Sequence, residues 1–138
     1  MLKVKQTKNM ANLSSNMEDY LEAISIASAQ NGAARVKDIR TLMNVKTPSV
    51  SGALQVLAKQ GLVTHERYGR VQLTKAGQVI ACEVKKRHVT ISSFLKDIVG
   101  VSQSAAEIDA CKIEHVLSKE TFKKLMEFMQ KIKDQQAK

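Results

Sequence analysis

The chain has 138 residues, 43% of them hydrophobic and 25% charged, which suits one globular domain or a small domain with an appendage. Aromatic residues make up only 4% and Trp is absent, which argues against a β-sandwich and against an aromatic platform for single-stranded nucleic acid. One Pro and six Gly provide material for few turns. We therefore expect a mainly α-helical protein.

The net charge of +9 is concentrated in one part of the chain. Between Arg35 and Lys75, eight Lys and Arg residues stand against only two acidic residues, so this span alone carries +6. An acidic cluster precedes the span and consists of Glu18, Asp19 and Glu22. A local excess of positive charge favours an anionic partner, most often nucleic acid, and the alternative is a basic protein with no such partner.

The sequence shows neither a membrane-spanning segment nor a signal peptide. No apolar run approaches the roughly 20 residues of a membrane-spanning helix, and the first residues are polar and basic rather than a signal peptide. Two Cys without a disulfide framework fit a reducing compartment. We therefore predict a cytoplasmic protein with no membrane partner, whose residues 1–14 form a flexible basic arm.

Three helices are predicted before the middle of the chain. The first begins near Ser15 or Asn16, either of which can cap it, and ends at Gly32. The second covers 36–43 and is followed by a turn over 44–46. The third is predicted to have Thr47 as its cap and Pro48 at its first position, where the missing N–H costs nothing.

A hairpin and three further helices are predicted after Gly61. Residues 62–64 and 71–73 have the composition of strands. Thr74 is expected to cap a long helix over 75–99, with Gly100 as its end, and Cys82 on this helix is expected to be a buried structural thiol. Ser102 or Ser104 is the predicted cap of the next helix, and Ser118 that of the last. The last helix has an apolar stripe made of Phe122, Leu125, Met126, Met129 and Ile132.

The order of three helices followed by a two-stranded hairpin predicts a winged helix-turn-helix DNA-binding domain over 15–75, with a helical domain over 76–138. A helix fits the major groove, and the third helix begins with small and polar residues that can contact bases and phosphates. The alternative is a solvated basic domain that binds no DNA. The predicted DNA-binding residues are Arg35, Lys37, Lys46, Thr47, Pro48, Ser49, Ser51, Gln55, Lys59, Arg67, Tyr68 and Arg70.

A thiol, a carboxylate and an imidazole lie close together late in the sequence. Cys111, Glu114 and His115 have the i, i+3, i+4 spacing of one helix face, so these donors can converge on a metal ion. The alternative is a buried Cys beside a surface Glu–His pair. From the sequence, Asp19 can be explained by the helix dipole and Glu22 as a solvated side chain.

His88 stands at the end of the basic run "KKRH", and its simplest interpretation is a histidine on a wet surface. Even so, two of the chain's three His fall in clusters that a DNA-binding domain does not require.

Four stretches together resemble the diphtheria toxin repressor and manganese transport regulator family of metal-activated repressors. They are "MEDYLEAI" at 17–24, the segment at 45–77, "RHVTISSFL" at 87–95 and "CKIEHVLS" at 111–118. The resemblance implies a homodimer that binds double-stranded operator DNA and a second domain for metal binding and dimerisation. It also implies the metal ligands Asp19, Glu22, His88, Cys111, Glu114 and His115.

The resemblance is mixed between two branches of that family. The pair Asp19 and Glu22 resembles the manganese branch, whereas Cys111 resembles the iron branch. The second, ancillary site of iron regulators looks incomplete, because Ser92 and Glu107 replace its expected Glu and His. The expected cofactor is therefore Mn²⁺ or Fe²⁺, with Co²⁺ or Zn²⁺ as further possibilities in vitro, and no organic cofactor is expected. The number of ions and the redox sensitivity of Cys111 stay open.

The predicted function is metal-dependent repression of genes for metal uptake, with Ala105, Ile108 and Val116 as dimer contacts. One alternative is a winged-helix regulator that responds to a small ligand or to redox state without a metal. Another is a metalloenzyme built on Cys111 and His115. An enzyme is disfavoured because the sequence has no oxyanion loop and no Gly-rich substrate cradle.

Overall fold

The computed structural model describes residues 13–66 and 69–137, and the chain divides into two compact units between Glu83 and Val84. The predicted arm as far as residue 12 and the predicted DNA contacts of Arg67 and Tyr68 lie outside the described residues. Within 13–66 and 69–137, no helix has both the length and the apolar character needed to cross a membrane.

The first unit begins with α1, Ser15–Asn31. The hydroxyl oxygen of Ser14 accepts a hydrogen bond from the Met17 N–H at 3.1 Å, so the cap lies just before the predicted candidates. The helix ends at Gly32, whose φ of 81° is the left-handed conformation that glycine adopts without strain. The predicted end of this helix is therefore confirmed.

The helix-turn-helix consists of α2, Val36–Met43, and α3, Thr47–Lys59. Asn44 makes the turn with a φ of 57°, a left-handed conformation that Asn tolerates better than most residues. Thr47 was predicted as the α3 cap, which is wrong because Lys46 holds that position. The Thr47 hydroxyl instead accepts a hydrogen bond from Arg40 Nη1 at 3.4 Å, which joins α2 to α3.

Three short antiparallel strands form the sheet: β1, Ala34–Arg35, β2, Val63–His65, and β3, Arg70–Leu73. Their order is β1–β3–β2, with Ala34 opposite Val71 and Val63 opposite Leu73. The predicted hairpin is therefore present, although its strands begin or end one residue away from the predicted positions. The sequence did not predict β1, because two residues are too few to show strand alternation.

The core of the first unit joins α1, α2, α3 and the sheet. Its fully buried apolar side chains recur at helical spacing along α1 and α3, and β3 contributes Val71 to the same core. They include Leu21, Ile24, Ile39, Val50, Leu57 and Val71, each 0% exposed. The predicted winged helix-turn-helix is confirmed.

The long helix departs from the predicted regular helix over 75–99. It runs as α4, Lys75–Ser93, and then widens into π-helical turns over Phe94–Val99, where the Gly100 N–H bonds to the Leu95 carbonyl at 2.9 Å. The predicted cap is correct, since the Thr74 hydroxyl accepts the Gly77 N–H at 3.1 Å. Cys82 is exposed, so the predicted buried thiol is wrong.

The second unit contains the later part of α4 with α5, Gln103–Ile113, and α6, Lys119–Gln136. Ser102 and Ser118 cap α5 and α6, and each accepts a backbone N–H at 3.1 Å. The apolar core is small and includes Ile91 and Ala110. No residue of α6 is fully buried; its predicted apolar stripe is only partly covered.

Candidate metal centre and DNA-binding surface

Among the residues of the second unit that the structure describes, Glu114 is the one buried carboxylate, and it is 1% exposed. Glu114 is the residue that follows α5, and His115 lies in the turn beyond it. The predicted single helix face for Cys111, Glu114 and His115 is therefore only partly correct, because the helix ends at Ile113. A buried carboxylate is costly unless charged or hydrogen-bonding groups surround it.

Two imidazoles and a guanidinium surround Glu114. Its Oε1 lies 2.8 Å from His88 Nδ1, and its Oε2 lies 3.3 Å from His115 Nε2. Arg87 Nε donates a hydrogen bond to the backbone carbonyl of Glu114 at 2.9 Å, which satisfies a carbonyl at the end of α5. The buried carboxylate of Glu114 therefore contacts both His88 of α4 and His115 of the turn that follows α5.

The other ring nitrogen of His88 faces a second carboxylate. His88 Nε2 lies 2.7 Å from Glu107 Oε1, and the Ser92 hydroxyl donates to Glu107 Oε2 at 3.1 Å. Burial lowers the pKa of His88, but hydrogen bonds to Glu107 and Glu114 and the charge of both carboxylates raise it, and the net shift is upward. The hydrogen bond from His88, together with that from Ser92, lowers the pKa of Glu107.

The structure brings together His88, Glu114 and His115 of the predicted ligands. The interpretation of His88 as a wet surface residue is wrong, since its side chain is only 17% exposed. Cys111 is exposed near the end of α5, and Asp19 and Glu22 lie about one turn apart on α1 of the first unit, where both are partly buried.

From the sequence, Glu107 is recognised only as a departure from the ancillary site of iron regulators, and no role is predicted for Arg87. The resemblance offered a signal for Glu107, because Ser92 and Glu107 occupy two positions of that ancillary site, and His88 and Ser92 share a face of α4 through their i, i+4 spacing. Arg87, which lies next to His88 in the basic run, had no such signal.

The donor set of the second unit fits a divalent transition metal. Imidazole nitrogen suits many such ions, and carboxylate oxygen suits Mn²⁺ and other hard cations. A buried carboxylate between two imidazoles places these donor types within 3.3 Å of each other. The cluster therefore contains the donor types that such an ion binds.

The predicted DNA-binding residues within 13–66 and 69–137 are all exposed. They lie at the start of α3, along its outer face, at the start of α2 and on β3. The paired strands bring Arg35 directly opposite Arg70, and these two with Lys37 line a cleft of about 540 Å³. The arrangement offers a helix for the major groove and a basic cleft beside it.

Comparison with protein families matches almost the whole chain. The N-terminal DNA-binding domain of iron-dependent repressors matches residues 12–71, and the metal-binding and dimerisation domain of iron-dependent repressors matches residues 74–137. The chain belongs to the iron-dependent repressor family. This family consists of metal-dependent transcriptional regulators, which excludes the metalloenzyme alternative and confirms the predicted resemblance.

Individual relatives agree with this assignment. The chain is 34% identical over 123 residues to an uncharacterized HTH-type transcriptional regulator of Methanocaldococcus jannaschii, covering 88% of this chain and 98% of that protein. It is 32% identical over 115 residues to the HTH-type transcriptional regulator MntR of Lysinibacillus sphaericus, covering 83% of this chain and 82% of that protein.

Among solved structures, the manganese regulator SloR is similar with a TM-score of 0.75 and 28% identity. The match covers 86% of this chain and 55% of the SloR chain, so this chain spans about half the length of that structure. The similarity therefore covers both units of the fold described here.

Proposed function

We propose that this chain is a metal-activated repressor that binds operator DNA as a homodimer and represses genes for Mn²⁺ or Fe²⁺ uptake when the metal is plentiful. The observation that carries the proposal is Glu114, a buried carboxylate within 3.3 Å of two imidazoles in the unit that matches a metal-binding domain.

The proposed ligand set combines the cluster with three residues predicted from the sequence. These are His88, Glu114 and His115 together with Asp19, Glu22 and Cys111. A bound divalent ion supplies the positive charge that lets several carboxylates share one site. Because Asp19 and Glu22 belong to α1 of the DNA-binding unit, metal affinity and DNA affinity become linked, and each raises the other by the same factor.

Either Mn²⁺ or Fe²⁺ is proposed as the metal because the types of ligand in the proposed set favour different ions. Carboxylates favour Mn²⁺, whereas the thiolate of Cys111 favours Fe²⁺, Co²⁺ or Zn²⁺. The names of MntR and of the manganese regulator SloR support manganese. Comparing the ions in one binding experiment therefore tests the role of Cys111 as well as the function.

The homodimer is proposed from the apolar surface of the second unit. Val99 is 54% exposed, Ile108 56% and Val116 78%, and all three belong to the segment that matches a dimerisation domain. Burying such side chains against a second copy is favourable at about 25 cal/mol for each Å² of apolar surface. A dimer presents two α3 helices, which suits an operator with two-fold symmetry.

The experiment is a fluorescence anisotropy titration of DNA from the region upstream of the protein's own gene. The protein is chelated and then supplied with Mn²⁺, Fe²⁺ under anaerobic conditions, Co²⁺ or Zn²⁺ in separate samples. We expect at least one of Mn²⁺ and Fe²⁺ to tighten binding tenfold or more. Equal binding with and without every metal would contradict the proposal and leave a winged-helix regulator that responds to another signal.

A pair of variants on α1 tests the ligand assignment. Glu22→Ala is expected to abolish the metal-dependent increase in DNA affinity while the far-UV circular dichroism stays that of the wild type. Glu18→Ala is the matched control, because it removes an equal charge from the same helix at a residue outside the proposed ligand set. A Glu22→Ala variant that responds fully to metal would show that this residue is not a ligand.

A further inference from the structure

Glu107 gives His88 a carboxylate partner that is not in the proposed ligand set. Its Oε1 lies 2.7 Å from His88 Nε2, and its Oε2 accepts the Ser92 hydroxyl hydrogen at 3.1 Å. Both oxygens of this carboxylate are thus engaged, by residues one turn apart on α4. The Glu107 side chain is 51% exposed, so the contact between Glu107 and His88 lies at the solvent-exposed edge of the cluster.

The two nitrogens of the His88 ring have different surroundings. Nδ1 lies 2.8 Å from the buried Glu114 Oε1, whereas Nε2 faces Glu107. Neighbouring ligands of an octahedral ion lie about 3 Å apart when the metal–ligand bonds are about 2.1 Å long. Without an ion, the 2.8 Å between Nδ1 and Glu114 Oε1 is a hydrogen-bond distance, and it is also close to the separation of two neighbouring ligands of one ion. When Nδ1 binds the ion, the ring proton must be on Nε2.

We propose that Glu107, oriented by Ser92, is a positioning residue for His88, which accepts the Nε2–H and so presents Nδ1 to the ion shared with Glu114. This inference rests on the proposed function. A neutral imidazole has two tautomers and rotates about its side-chain bonds. A carboxylate that accepts one ring N–H fixes both the tautomer and the ring orientation and makes the other nitrogen a better ligand.

The competing role for Glu107 is that of a ligand to a second ion together with His88 Nε2. The observed contacts favour positioning, because Ser92 uses its hydroxyl hydrogen on Glu107 and thereby holds the carboxylate in place. The two roles predict different effects of the substitution Glu107→Gln. The Gln carbonyl still accepts the Nε2–H, whereas a neutral amide is a poor ligand for a cation.

The test measures Mn²⁺ binding by isothermal titration calorimetry without DNA, in the wild type, Glu107→Ala, Glu107→Gln and Ser92→Ala. We expect Glu107→Ala to weaken binding between tenfold and a hundredfold. Glu107→Gln should stay within about threefold of the wild type, and Ser92→Ala should lie between these two. Asp109→Ala, which removes an equal charge from an exposed position of the same helix, controls for the change in net charge.

A second measurement reports on the ring itself. Nitrogen-15 NMR of the Zn²⁺-loaded protein should show His88 protonated at Nε2 in the wild type and in Glu107→Gln, and a changed or mixed tautomer in Glu107→Ala. A purely structural role for Glu107 would leave this signature unchanged. If Glu107→Ala does not fold, Glu107→Gln and Ser92→Ala still give the affinity and the tautomer.

Three results would overturn the inference, and they are distinguishable. If Glu107→Ala binds Mn²⁺ with the affinity of the wild type, the positioning role is wrong while the proposed function still stands. An equal loss in Glu107→Gln and Glu107→Ala, with stoichiometry falling from two ions to one, would make Glu107 a ligand of a second ion. A wild-type chain that binds no divalent ion would contradict the proposed function, and this inference with it.

Discussion

The two units of this chain are stabilised in different ways. In the first unit, apolar side chains from three helices and the sheet reach 0% exposure and form a core whose main stabilisation is hydrophobic burial. In the second unit α6 has no fully buried residue, and the buried set includes the polar side chains Ser92 and Glu114. Polar contacts therefore lie within the core of the second unit, whereas the buried side chains of the first unit are apolar.

This difference indicates that the stability of the two units depends differently on a bound ion and on a second copy of the chain. A DNA-binding unit with its own apolar core can keep its shape whether or not a metal is bound. A unit with a buried carboxylate and exposed Ile108 and Val116 leaves stabilisation to be gained from an ion and from a second copy of the chain.

The largest effect is expected in the core of the first unit. Leu57→Ala should lower the free energy of unfolding by about 2–5 kcal/mol, because Leu57 is 0% exposed and its loss leaves a cavity. Urea denaturation with and without Mn²⁺ measures the change. Leu42→Ala on α2 is the control, since Leu42 is 44% exposed and should cost well under half as much. Equal costs would show that the apolar core does not dominate this unit.

The next effect concerns the cluster of the second unit. Glu114→Gln should weaken Mn²⁺ binding at least a hundredfold, which corresponds to about 2.7 kcal/mol, because it removes the charged oxygens next to both imidazoles. The same calorimetric titration gives the affinity. Glu120→Gln in the exposed first turn of α6 should leave it unchanged. If Glu114→Gln keeps its metal affinity, the ion does not bind at this carboxylate.

A smaller effect is expected where α4 starts. A Cβ at Gly77 would overlap the carbonyl oxygen of Leu62, so Gly77→Ala should cost about 1–3 kcal/mol through overpacking. Gly52→Ala is the control because a Cβ there meets no atom within 4 Å, and Ala in a helix should instead stabilise by about 0.5–1 kcal/mol. Thermal unfolding of both variants measures the difference. If Gly77→Ala stabilises the protein, the backbone near Leu62 can move to make room for the added methyl group.

Much of the fold could be predicted from the sequence because its signals are local. The left-handed ends at Gly32 and Gly100 and the caps at Ser102 and Ser118 each depend on a few neighbouring residues, and all four agree with the structure. The π-helical turns over Phe94–Val99 could not be predicted, because their apolar spacing is compatible with a regular helix as well.

The candidate site was harder to predict because it depends on contacts between helices. The spacing of Cys111, Glu114 and His115 predicted one helix face, but it gave no sign that the helix stops at Ile113, before Glu114 and His115. The basic run around His88 predicts a solvent-exposed side chain, yet each of its ring nitrogens contacts a carboxylate. Those carboxylates are 19 and 26 residues away, beyond the reach of any local pattern.

The smallest predicted effect compares two helix caps, one from each unit. Ser14→Ala and Ser118→Ala each remove the acceptor of a backbone N–H at 3.1 Å, and each should cost about 1 kcal/mol. In α1 five buried residues tie the helix to the core, so Ser14→Ala should shift the unfolding midpoint of the first unit.

In α6 no residue is fully buried, so Ser118→Ala should act mainly on the helix itself. Its first amides should exchange with solvent about fivefold faster, as 1 kcal/mol implies, while the unfolding midpoint of the first unit stays fixed. Hydrogen exchange read amide by amide separates the two outcomes. A cooperative loss of protection throughout the second unit would mean that α6 is integral to its core, and the contrast between the two units would then be weaker than their burial indicates.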